Sequence, residues 1–121
     1  MKVSYPAALR VSIWLGHFAS EEDLEDAITR DVEPRLKLTI DLSRIAESTF
    51  SESPSSVRDL LEGFSGWRTF IEQAVTAAEK KSLPALNSAF VCSHLDCSDA
   101  PEAWGKFSFI GCFDGNDRTS P

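Results

Sequence analysis

Cys92, His94, Cys97 and Cys112 are the side chains in this sequence best suited to chemistry, since three thiolates and one imidazole form a set that zinc accepts in a tetrahedron. Cys92 and His94 would share one face of a strand. Their C-x-H-x-x-C spacing lacks the paired C-x-x-C knuckles of recognisable zinc sites, so buried or half-buried small side chains are expected here and no metal. A thiol enzyme would need a Cys-His pair, for example Cys112 with His94 on neighbouring strands, with Asp96 or Asp99 to orient an imidazole; His17 is the second histidine. No serine or cysteine occupies a nucleophile-elbow motif, and the P-loop, dinucleotide, H-E-x-x-H and EF-hand signatures are missing from the sequence. Catalytic residues and cofactors are therefore not expected. Asp114-Gly115-Asn116-Asp117 lacks the later glutamate of a calcium loop and reads as a solvated turn.

Charge says more about partners than these residues do. Twelve basic and nineteen acidic side chains leave a formal charge of −7, which repels phosphate backbones and attracts basic protein surfaces. Nucleic acid is thus an unsuitable partner, while the same charge would also serve solubility alone. No apolar run approaches the roughly 20 residues that span a bilayer, and the N-terminus lacks a basic segment followed by an apolar core. Three cysteines make neither an even nor a dense framework. A cytoplasmic protein with free thiols and no membrane association is expected.

These residues need a scaffold, and 42% apolar with 26% charged residues over 121 positions suffices for a single core. Leu9, Val11, Ile13 and Leu15 alternate with Arg10, Ser12, Trp14 and Gly16, the pattern of a strand with one face on a core and Trp14 on the other. Ser20 with Asp23 forms a capping box, and Glu21, Glu22 and Asp23 suit the positive end of a helix dipole. That helix should end near Asp31, before Pro34, with Leu24, Ala27 and Ile28 inward and Glu22, Glu25 and Asp26 in solvent. Leu36, Leu38 and Ile40 read as a short strand, then Leu42, Ile45 and Ala46 as a helical turn, and the stretch from 51 to 56 reads as a loop. Ser56 with Asp59 caps a second, short helix, and a third is expected from Trp67 to Lys80 or Lys81. Two strands, Ser88 to Leu95 and Lys106 to Phe113, close the domain by pairing with each other antiparallel, joined through Ala100 to Gly105.

The expected fold class is α+β: a single small domain over 1–113, an antiparallel sheet of roughly three to four strands, and about three helices packed on one face. Residues 114–121 have no apolar anchor and are expected to form a flexible C-terminal tail. Of the tryptophans, Trp67 heads the buried stripe of the third helix; Trp14, on the less apolar strand face, is available as an interface anchor or as a fold residue, and Trp104 has no assignment.

Trp14-Leu15-Gly16-His17-Phe18 followed by Ser20-Glu21-Glu22-Asp23-Leu24, Leu60-Leu61-Glu62-Gly63-Phe64-Ser65, and Phe107-Ser108-Phe109-Ile110-Gly111-Cys112-Phe113 stand in an order and at separations that resemble the immunity protein 22 family of bacterial polymorphic toxin systems. The resemblance covers most of the domain; Asp31 to Ser53 matches least and the tail not at all. It implies an α+β protein with a characteristic tryptophan, Trp14 here, that protects a bacterium by binding a toxin domain, and it carries over no catalytic residue. The expected function is an immunity protein that neutralises a cognate, basic toxin, for instance a nuclease, without catalysis, through Glu22, Glu25 and Asp26 with Trp14 as anchor. An acidic adaptor for another protein is the alternative, and a small Cys/His-dependent enzyme comes third.

Overall fold

A computed structural model describes residues 1–115 of the chain; of the tail expected over 114–121, positions 116–121 lie outside the described residues. The elements are β1 (Lys2–Ser4), β2 (Arg10–Gly16), α1 (Glu21–Ala27), a π turn (Ile28–Val32), α2 (Glu33–Leu36), a 3-10 turn (Leu42–Arg44), β3 (Ala46–Ser55), α3 (Val57–Leu61), α4 (Trp67–Lys80), β4 (Leu86–Ser93), β5 (Asp96–Ser98), β6 (Ala103–Trp104) and β7 (Phe107–Asp114). A five-stranded antiparallel sheet runs in the order β3-β4-β2-β7-β6, and β1 pairs with β5 in a separate two-stranded ribbon. The α+β class stands. The sheet is larger than the expected three to four strands, because the polar segment 46–55 and the two residues of β6 join it as edges.

Strand β2 is the centre of the molecule. Val11 to Gly16 carries no charge and is buried along its whole length, with β4 on one side and β7 on the other. This corrects the expected direct pairing of the two C-terminal strands: the strand buried on both faces takes the middle, where each of its edges also finds a ladder. It also corrects the expectation of helices on one face. Val11, Ile13 and Leu15 pack with Leu60 and Leu61 of α3 and Phe70, Ile71 and Ala74 of α4. On the opposite face Trp14 packs with Leu24, Ala27 and Val32 of the first helical run and with Phe90, Phe107 and Phe109. Helices therefore cover both faces, and each face has its own apolar cluster.

Local signals behave as their chemistry requires. Ser20 Oγ accepts from the Asp23 N–H at 3.1 Å and Ser56 Oγ from the Asp59 N–H at 3.0 Å, so the serine half of each expected capping box forms. The first helical run does not stop near Asp31 but continues to Leu36. Its π turn gives the Glu33 N–H the Ile28 carbonyl as partner, and Pro34 falls within the first two positions of α2, where a missing N–H is tolerated. The expected strand over Leu36 to Ile40 is absent among the described residues; Leu36 ends α2, Lys37 turns left-handed at φ 50°, and the 3-10 turn follows. The expected loop from 51 to 56 is instead mostly strand to Ser55. Pro54 fits there because β3 is an edge, and its register with β4 breaks between Phe50 and Ser55.

A candidate acidic protein-binding groove

Helix α1 presents Leu24 and Ala27 to the Trp14 side of the sheet, and its periodicity then leaves Glu22, Glu25 and Asp26 exposed, as expected. Trp14 is not beside them at the surface. It is fully buried, with ring centroids 5.1 Å from Phe109, 5.3 Å from Trp104 and 5.6 Å from Phe90. Its place as an interface anchor is therefore corrected: Trp14 acts on the surface only by holding the sheet face on which the helical run rests. Trp104 is also fully buried, its indole N–H donating to the Pro101 carbonyl at 2.6 Å, with the Arg35 guanidinium 5.1 Å above its ring. Trp67 is only half-buried and carries the Arg68 guanidinium at 4.9 Å.

Between the first helical run and the edge strand β3 runs a seam with two hollows. One, of about 270 Å³, has Ile28, Leu42 and Phe90 in its lining and the carboxylates of Glu25, Glu33 and Asp41 at its rim. The other, of about 460 Å³, lies toward the helix N-terminus between Ser20, Glu21, Phe50 and Glu52. No lysine or arginine lines either one. Asp41 Oδ1 accepts from the Ser43 N–H at 3.0 Å, and this amide holds the carboxyl below its ordinary range, so the rim keeps this charge in mild acid. Glu47 also lines the first hollow, although its carboxylate accepts from the Ser65 N–H at 3.2 Å. A neighbouring hollow of about 400 Å³ shares Glu33, Asp41 and Leu42 and adds Lys37.

Of the expected partner-binding residues, Glu25 thus enters a built groove, Glu22 and Asp26 lie exposed on the same helix, and Trp14 is removed to the core. Glu33, Asp41 and Glu52 escaped the sequence, because the stretch containing them carries mixed periodicity and only the fold brings the three against α1. The chemical residues are placed differently again. His17 is exposed, and His94 sits in a turn at φ 60°, lining a hollow with Ser65 and Thr69 rather than one containing Cys112. Among the described residues no group of three or more His, Cys, Asp or Glu is arranged to hold a metal, and no helix is long and apolar enough to cross a membrane. No family model, curated protein or solved structure matches the chain.

Proposed function

We propose that the chain binds a basic protein domain along the seam between its first helical run and β3, and that this domain is a bacterial toxin which it neutralises by occlusion, without catalysis. The toxin assignment rests on the resemblance to the immunity protein 22 family. The binding assignment rests on one observation: Glu21, Glu25, Glu33, Asp41 and Glu52 line two hollows of the same seam that have apolar residues in their walls and no basic side chain. Carboxylates at a rim steer a basic partner into encounter, and the apolar residues between them supply the area that holds it. Nuclease toxins suit such a groove because their substrate surfaces are basic. The cytoplasm, where such a toxin acts, is the proposed compartment.

The test starts from the reading frames adjacent to the gene for this chain and uses a toxin domain encoded there; neighbouring frames that encode no such domain would count against the toxin assignment. Wild type should protect cells that co-express that domain. Glu25→Lys, Glu33→Lys and Asp41→Lys combined, in a variant with an unchanged unfolding midpoint, should slow association on the order of tenfold at low salt and abolish protection. A folded triple variant that associates and protects like wild type would sink the groove. Loss of association without any protection by wild type would favour the adaptor reading, in which the partner is basic but not a toxin.

A further inference from the structure

Ser12 of β2 lies opposite Cys92 on one side and opposite Cys112 on the other, and the ribbon formed by β1 and β5 brings Cys97 against the same point. The Cys97 N–H donates to Cys112 Sγ at 3.1 Å, that sulfur lies 3.8 Å from the Cys97 carbonyl oxygen, and Ser12 Oγ lies 3.0 Å from it. Both cysteines line an open groove of about 560 Å³ that also contains Arg10 and Lys81. Cys112 is half-buried and Cys97 is 5% exposed, whereas Cys92 is fully buried. We propose that Cys112 is a hydroperoxide-reactive thiol and that Cys97 resolves its sulfenic acid into a Cys97–Cys112 disulfide.

The chemistry balances with a hydroperoxide as the oxidant. The Cys112 thiolate attacks one oxygen of the O–O bond and becomes a sulfenic acid, and the other oxygen leaves as hydroxide, or alkoxide, and takes up a proton. Cys97 Sγ then attacks the sulfenic sulfur; an S–S bond forms, the S–O bond breaks, and water leaves with the Cys97 proton. Two thiols are oxidised and one peroxide is reduced. Cys112 Sγ already rests against the Cys97 backbone, so the disulfide, at roughly 2.05 Å between sulfurs, would close over a short path.

The order of reaction follows from the surroundings. The neighbouring Cys97 thiol and the Cys97 N–H, which donates to its sulfur at 3.1 Å, pull the Cys112 thiol below its ordinary pKa, against desolvation and the repulsion of Asp96, while the Ser12 hydroxyl spends its proton on the Leu95 carbonyl at 2.6 Å. Arg10 faces Cys112 from β2 and is held there by Asp96 at 3.0 Å and Asp114 at 2.8 Å, its Nη2 donating to the Cys112 carbonyl at 3.3 Å. The same pairing pushes Cys97 up, with burial and the nearby Cys92 adding to it, and burial alone pushes Cys92 up. Cys112, the more exposed of the two and the sulfur that accepts the Cys97 N–H, is therefore the attacking thiolate, and the buried Cys97 is the thiol that answers it.

The full chain, treated with hydrogen peroxide, then alkylated and peptide-mapped, should yield one new species lighter by two hydrogens in which the peptides of Cys97 and Cys112 are linked, with Cys92 alkylated only after denaturation. Cys97→Ser should stop at a dimedone-trapped sulfenic acid on Cys112, and Cys112→Ser should show neither product. Without any variant, iodoacetamide should label Cys112 of the native chain first, a few-fold faster than free cysteine at pH 7, because the gain in thiolate outweighs the lower nucleophilicity. Peroxide that oxidises free cysteine but leaves the native chain unlinked, a disulfide that includes Cys92, or first labelling at Cys97 would each overturn the proposal. None of these readouts depends on a toxin partner.

Discussion

Trp14 fills the centre of one core face, and its indole Nε1 has no hydrogen-bond partner. Trp14→Ala should cost roughly 3–5 kcal/mol in urea unfolding through lost contacts and cavity, whereas Trp14→Phe, which also deletes the orphaned N–H, should cost less than about 2 kcal/mol. A wild-type midpoint for the alanine variant would place Trp14 outside the core. Asn87 does the work of a peptide group. Its Oδ1 accepts from the Phe18 N–H at 2.9 Å and from the Ser88 hydroxyl at 2.9 Å, and its Nδ2 donates to the Phe18 carbonyl at 2.7 Å, closing the backbone just past the end of β2. Asn87→Leu keeps the volume but strands both Phe18 groups in a dry interior, so a loss of about 2–4 kcal/mol is expected by the same measurement.

At the scale of elements, a bulge in β7 decides which residues reach which core. The ladder with β2 passes from Ile13 opposite Gly111 to Trp14 opposite Phe109, leaving Ile110 as the extra residue. Phe107 and Phe109 consequently join Trp14, while Ile110 and Phe113 join the helix α4 side, although strict alternation would place all three phenylalanines together. Gly111 makes this possible at φ 136°, a backbone that side chains resist, and an added Cβ would lie 3.2 Å from the Phe113 ring. Gly111→Ala should therefore destabilise by roughly 1–3 kcal/mol, more than the same change at the exposed Gly63, around which an added Cβ meets nothing within 4 Å. Equal costs at the two glycines would mean that backbone strain alone, rather than the bulge packing, sets the penalty.

Over the whole molecule the formal charge of −7 is distributed with a purpose on the proposed reading: the seam beside β3 collects carboxylates while several basic groups are engaged elsewhere, Arg58 with Glu72 and Arg10 with Asp96 and Asp114. Exposed charges are screened within roughly 8 Å at physiological ionic strength. Association with the basic partner should accordingly slow as salt rises, and the lysine reversal at Glu25, Glu33 and Asp41 should flatten that dependence in stopped-flow measurements. A wild-type rate indifferent to salt would assign the charge to solubility. The thiol cluster lies between β2, β5 and β7, away from this seam, so oxidation at Cys112 and loss of groove charge should be separable in the same protein.

What the sequence by itself determined was what short-range chemistry specifies. Both serine caps, the span of α4, the exposure of Glu22, Glu25 and Asp26, and the strand character of Val11 to Leu15 all depend on neighbours within a few residues, where spacing and hydrogen-bonding capacity suffice. The α+β class followed from the same signals. What the tertiary structure decided depended on which residues meet across long separations. The insertion of β2 between β4 and β7, the burial of Trp14 under the first helical run, and the recruitment of a polar, proline-bearing segment as an edge strand have no local signature, because a strand buried on both faces and one buried on a single face can share the same alternation. An uncharged run opposite Phe90, Phe107 and Phe109 was the available hint. Neither the acidic seam nor the Cys97–Cys112 contact could be read from spacing, since Glu25 and Asp41, like Cys97 and Cys112, become neighbours only when the sheet is complete.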